Sequence, residues 1–148
     1  MRRGNWGVYT LMDQVVLPWG DPEGNRGLGV FGSFLASPDQ SVSEMPWFFT
    51  TGVVARGVCD SRPQDVIGVG AIFGQFSNDL ADSEQRQDLL DPSVTVQRNE
   101  TALELTYRYS LYSGGCFLQP DLQYIIHPGG SPGVQNALVL GCQIGIDF

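Results

Sequence analysis

Across the last third of the chain, apolar and polar side chains alternate with a period of two. In Glu100 to Ser110, Leu103, Leu105, Tyr107 and Tyr109 interleave with Ala102, Glu104, Thr106 and Arg108. Cys116 to His127 sets Leu118, Pro120, Leu122, Tyr124 and Ile126 against Phe117, Gln119, Asp121, Gln123, Ile125 and His127. In Ala137 to Phe148, Leu138, Leu140, Cys142, Ile144, Ile146 and Phe148 fall opposite Gln143 and Asp147. Successive side chains of a strand point to opposite faces, so these segments predict three strands that each carry one greasy and one polar face.

Four further segments of strand length precede them: Asn5 to Leu17, Gly27 to Ala36, Trp47 to Val58 and Asp65 to Phe76. In Trp47 to Val58, Arg56 goes with Thr50 and Gly52, which leaves Trp47, Phe49, Thr51 and Val53 on the apolar side. Both faces of Asp65 to Phe76 are nearly apolar; Ile67, Val69, Ala71 and Phe73 are placed outward. The pattern of Asn5 to Leu17 selects neither face. Separators rich in Pro, Gly, Asp, Asn and Ser, such as His-Pro-Gly-Gly-Ser-Pro-Gly at His127 to Gly133, mark turns between them. The expected fold is all-β, an antiparallel up-and-down meander of about seven strands forming one unit over residues 1–148. Residues 77–99 make a long connection, with a short helix expected from about Leu80 to Leu90 behind an Asn or Asp cap. Tyr112 to Gly115 makes a tight turn.

A soluble sandwich also alternates, but its apolar face meets a second sheet, whereas a barrel in lipid turns apolar residues outward and polar ones to a water-filled interior. Two features favour lipid. Aromatic residues gather near strand ends (Trp47, Phe49, Tyr107, Tyr109 and Phe148), where interfacial girdles belong. Charges sit mid-strand on the polar side, and an arginine such as Arg108 turned to the bilayer centre would cost about 2–4 kcal/mol. Arg56, Glu104, Arg108, Gln119, Asp121, Gln123 and Gln143 are therefore the candidate pore-lining residues. A soluble β-sandwich carbohydrate-binding module is the alternative.

Composition narrows the function classes. A mean hydropathy of −0.07 suits strands in which polar positions dilute apolar ones. No stretch approaches the roughly 20 apolar residues of a membrane helix, while a spanning strand needs only about 9–11. All eight basic residues are arginine, against sixteen acidic ones, for a net charge of −8. Such a balance leaves no basic stripe for nucleic acid and no polybasic lipid patch. Three cysteines at unrelated spacings, Cys59, Cys116 and Cys142, fit neither a disulfide framework nor a zinc site and are expected as free, inert thiols. His127 is the single histidine, and no Gly-x-Ser-x-Gly nucleophile motif accompanies it, so it is expected as a loop-end hydrogen bonder and not as a catalytic base. No catalytic residue, cofactor or metal is expected. The acidic run Asp79, Asp82, Glu84, Asp88 and Asp91 is expected as a solvated loop, with divalent cations shared with surface lipopolysaccharide as its alternative role.

Longer runs then point to a family. Leu118 to Gly130 reads Leu-Gln-Pro-Asp-Leu-Gln-Tyr-Ile-Ile-His-Pro-Gly-Gly, followed by Asn-Ala-Leu-Val-Leu-Gly at Asn136 to Gly141. Upstream stand Arg-Gly-Asn-Trp-Gly-Val-Tyr at Arg3 to Tyr9, Gly-Leu-Gly-Val-Phe-Gly at Gly27 to Gly32, Arg-Pro-Gln-Asp-Val-Ile-Gly-Val-Gly at Arg62 to Gly70 and Glu-Leu-Thr-Tyr-Arg-Tyr at Glu104 to Tyr109. Together these resemble the carbohydrate-selective porin (OprB) family over nearly the whole chain. The resemblance implies the carboxy-terminal part of a sixteen-stranded barrel in a Gram-negative outer membrane. Sugars would be its passively diffusing solutes, outer-membrane lipid and lipopolysaccharide its surroundings, and the terminal Phe148 its signal to the barrel assembly machinery. The amino-terminal barrel half and a signal peptide are not recognisable in the chain, so a fragment or a misplaced start is expected.

Overall fold

The computed structural model describes residues 4–20, 26–91, 94–112 and 115–146. Within them lie seven strands: β1 (Val8–Pro18), β2 (Gly27–Ala36), β3 (Trp47–Arg56), β4 (Val66–Gln75), β5 (Asn99–Leu111), β6 (Cys116–Ile126) and β7 (Ala137–Ile146). Each pairs antiparallel with its sequence neighbours in one sheet ordered β1 to β7. Sequence and structure agree to within a residue or two for β2 to β6. The amino-terminal strand starts later than expected, at Val8, and Asp65 belongs to the turn before β4 and not to the strand. The expected end of β7 at Phe148 lies outside the described residues.

Local chemistry sets the exceptions to regularity. The β1–β2 register shifts between Val15 and Leu17, so Val16 is an extra residue in the ladder. Such a bulge bends the strand it occupies. In the β4–β5 connection, helix α1 (Asn78–Asp88) forms two residues earlier than expected, because Ser77 is its cap and not an Asn or Asp. The Ser77 hydroxyl accepts from the Leu80 amide at 2.9 Å. Asp79 in the first turn and Arg86 in the last complement the helix dipole.

The sheet has no second layer among the described residues; each strand packs on its neighbours in the meander. Accordingly, among the described residues, Ala36 and Phe117 alone are buried hydrophobics. The accessible surface is 10160 Å², whereas a folded soluble monomer of this mass exposes roughly 7,500 Å². Leu118, Leu122, Leu140 and Ile144 are 38%, 37%, 80% and 71% exposed, so they do not form the dry inter-sheet core that a sandwich requires. No helix is long and apolar enough to cross a membrane, which says nothing of strands.

Candidate pore wall

Register decides which side chains share a face, because directly opposed residues in an antiparallel ladder point the same way. Arg56 opposes Val66, which opposes Arg108. Glu104 opposes Gly70 on one side and Gln123 on the other. Asp121 opposes Thr106 and Gly141, and Gln119 opposes Gln143. All seven candidate pore-lining residues thus lie on one face of the sheet. Asp13, Ser33 and Thr50 extend the same polar face toward β1.

The other face is predominantly apolar from β2 to β7. One row runs Val30, Val53, Val69, Leu105, Leu122, Leu140 and a second Leu28, Ala55, Ile67, Tyr107. Ile67, Val69, Ala71 and Phe73 share this face, and β1, whose own pattern gave no choice, adds Val8, Thr10, Met12 and Gln14 to it. Trp47 and Phe49 stand at one end of the apolar face, with the Phe34 ring 5.8 Å from that of Trp47. Tyr107 and Tyr109 stand at the other end. From the Trp47–Gln75–Asn99 row to Tyr109 is ten residues along β5, about 34 Å of strand. A tilt near 40° reduces that to roughly 26 Å, close to the apolar band of about 25 Å that a membrane barrel presents. Phe148 lies outside the described residues.

Polar contacts on the wall are few and mutual. The Gln123 amide donates to Glu104 Oε2 at 3.2 Å, the Thr106 hydroxyl donates to the Pro120 carbonyl at 3.2 Å, and the Ser33 and Thr50 hydroxyls share a bond of 2.7 Å. The Arg108 guanidinium stacks 3.7 Å above the Phe117 ring, an arrangement that keeps a cation wet on one side and packed on the other. Phe31 leans across β3, and glycine makes room for it: a Cβ on Gly52 would collide with the ring and stand 2.6 Å from the Val69 carbonyl oxygen. Beside it a recess of 340 Å³ is bounded by Phe31, Thr50, Val54, Ile72, Glu104 and Thr106 over the bare backbone of Gly68 and Gly70.

Sequence reasoning missed a cluster at the Tyr107 end. Asp65 is buried and receives Arg62 Nε at 2.6 Å and Arg62 Nη2 at 2.9 Å, the Tyr107 hydroxyl at 2.5 Å and the Ser110 amide at 2.9 Å. The Arg62 hydrogen bond foremost, with those of Tyr107 and Ser110, holds the Asp65 carboxyl down to about 2 against the opposing effect of burial. Arg62 also lies 3.6 Å over the Tyr109 ring, so the Arg62 to Asp65 run locks the β3–β4 turn to β5. The available signal was the i, i+3 spacing of two opposite charges within that run. Nearby, Arg26 and the Trp19 indole donate to the Gly57 carbonyl, and Arg26 pairs with Asp60 at 2.7 Å.

His127 donates its backbone amide to Asn136 at 3.2 Å, while its ring Nδ1 is buried without a partner. It therefore bonds at the loop end through the main chain and not through the imidazole. The cysteines are free, as expected, with Cys59 and Cys142 exposed; Cys142 shares the apolar face with Pro120. Among the described residues no three His, Cys, Asp or Glu side chains gather as a metal site.

Comparison with known proteins agrees with this geometry. The family model described as "Carbohydrate-selective porin, OprB family" matches residues 1–148. Porin B of Pseudomonas aeruginosa is 31% identical over 152 aligned positions, which cover 96% of this chain and 33% of that protein. The putative porin QuiX of Acinetobacter baylyi is 34% identical over 103 positions, covering 63% of this chain and 23% of that one. The solved structure of Pseudomonas putida OprB at high pH superposes with a TM-score of 0.87 at 30% identity, over 95% of this chain and 34% of that one. The chain spans about a third of the length of porin B and of the solved OprB. It belongs to the carbohydrate-selective porin, OprB family.

Proposed function

We propose that the chain forms part of the wall of an outer-membrane β-barrel through which sugars diffuse passively. The observation that carries this is the partition of the sheet, with seven polar candidates on one face and an uncovered apolar face on the other. Arg56, Glu104, Arg108, Gln119, Asp121, Gln123 and Gln143 face the water-filled passage. There they exchange hydrogen bonds with sugar hydroxyls weakly enough for the solute to leave. The apolar face meets lipid, with Trp47, Phe49, Tyr107 and Tyr109 at its two interfaces.

In this arrangement the connections 37–46, 76–98 and 127–136, which share one end of the sheet, lie outside with lipopolysaccharide, and the opposite turns face the periplasm. Phe148 addresses the barrel assembly machinery. The two edge strands β1 and β7 pair with further strands to close a sixteen-stranded barrel, because an open edge in lipid leaves backbone groups unsatisfied. A diffusion channel needs no catalytic group, and none is assigned.

Reconstitution tests this reading. The protein in lipid should give a β-rich species whose electrophoretic mobility changes on heating, and liposomes containing it should swell in isosmotic sugar. A form that stays soluble and monodisperse without detergent would count against it.

A further inference from the structure

We infer that the recess beside Phe31 is a sugar subsite on the wall, a position at which a passing monosaccharide pauses. The inference rests on the polar face being the lumen. Its volume of 340 Å³ falls at the lower end of the roughly 300–1,000 Å³ of small-molecule sites, the size for one sugar ring and not a chain of them. Chemistry selects the occupant. A pyranose has an apolar C–H face and a rim of hydroxyls, and the recess offers one apolar wall and a polar edge.

The wall is Phe31, which leans across β3 toward Gly70; the space it needs exists only because Gly52 carries no side chain. Val54 adds to the apolar side. At the edge, Glu104 commits one carboxylate oxygen, Oε2, to Gln123, which leaves Oε1 to accept from a sugar hydroxyl. Thr106 and Thr50 place further hydroxyls there, each anchored by its own bond to Pro120 or Ser33. Gly68 and Gly70 keep the floor at backbone level, so a ring can lie close to the wall. A strand face that merely solvated a pore would not need a large aromatic ring laid over two glycine-bearing strands.

The test is sugar-dependent block of ion current through the full-length polypeptide in planar bilayers, with D-glucose as probe and each variant normalised to its own sugar-free conductance. Phe31→Ala should raise the half-blocking glucose concentration on the order of tenfold, the effect of losing one apolar wall. Phe31→Trp should restore it, and Glu104→Gln should weaken block by a smaller factor. Leu122→Ala, on the opposite face, should leave the response unchanged. Wild-type channels that respond to glucose together with a Phe31→Ala response equal to wild type would overturn the subsite and leave the channel standing. Failure of the wild-type protein to conduct would overturn both. Should Phe31→Ala prove too poorly folded to insert, Phe31→Leu gives the same reading, since it keeps an apolar side chain but not the ring.

Discussion

Strands β5 and β6 and strands β2 to β4 build the same sheet face in different ways. On β5 and β6 the polar face carries long side chains of its own, Glu104, Arg108, Gln119, Asp121 and Gln123, and Asp121 and Phe117 also reach over Gly141 and Gly145 of β7. In the other group the positions on that face are mostly glycine or apolar, and the space over them is filled by a neighbour, as Phe31 fills the space over Gly52. Where a strand supplies its own surface, the face is readable from that strand alone. Where it borrows one, only the register reveals it.

Breaking the contrast at its strongest point means reversing the alternation in β5. Leu105→Arg places a charge mid-strand on the apolar face and should destabilise the protein in bilayers by about 2–4 kcal/mol. Thr106→Arg, one residue on and on the other face, should cost far less, and denaturant titration in lipid vesicles compares the two. Next comes the borrowed surface. Gly52→Ala should cost about 1–3 kcal/mol as an overpacked position, because the added Cβ meets a backbone carbonyl as well as a ring. Gly141→Ala should cost less, since its Cβ meets only the movable Asp121 carboxylate.

The junctions between the two groups yield smaller effects. The Asp65 carboxyl has a folded-state value near 2, below the roughly 3.9 of an unfolded chain. Its stabilising contribution is therefore complete above about pH 4 and is lost as pH falls through 2. Asp65→Asn should abolish that acid dependence, seen as a wild-type unfolding midpoint that drops between pH 5 and pH 2 while the variant's stays flat by comparison. Smallest is Ser77→Ala, which removes the α1 cap and should cost about 1 kcal/mol of helix stability. Faster amide exchange at Leu80 would register it with the sheet unchanged.

The same contrast explains what the sequence made legible. Period-two alternation marked β5, β6 and β7 and set each of the seven polar candidates on the polar side of its own strand, and the register then joins those sides into one face. Turn chemistry bounded β2 and β3 almost to the residue. The face of β1 was not legible: its Tyr9, Leu11, Asp13 and Val15 mix characters, and only pairing with β2 assigns them. The Phe31 recess was invisible for the same reason, since it joins residues from β2 to β5. The Asp65 cluster joins a turn to a strand more than forty residues away, and the Ser77 cap lost out to neighbouring Asn78 and Asp79 because all three residue types cap helices well.

Spin labels placed singly along β6 at positions 118 to 124, with Cys59, Cys116 and Cys142 changed to serine, test the central partition most directly. In bilayers, labels at 118, 120, 122 and 124 should be relaxed by oxygen dissolved in lipid, and labels at 119, 121 and 123 by a water-soluble paramagnetic reagent. Uniform accessibility along the strand, or the opposite phase, would contradict the assignment of one face to lipid and the other to water.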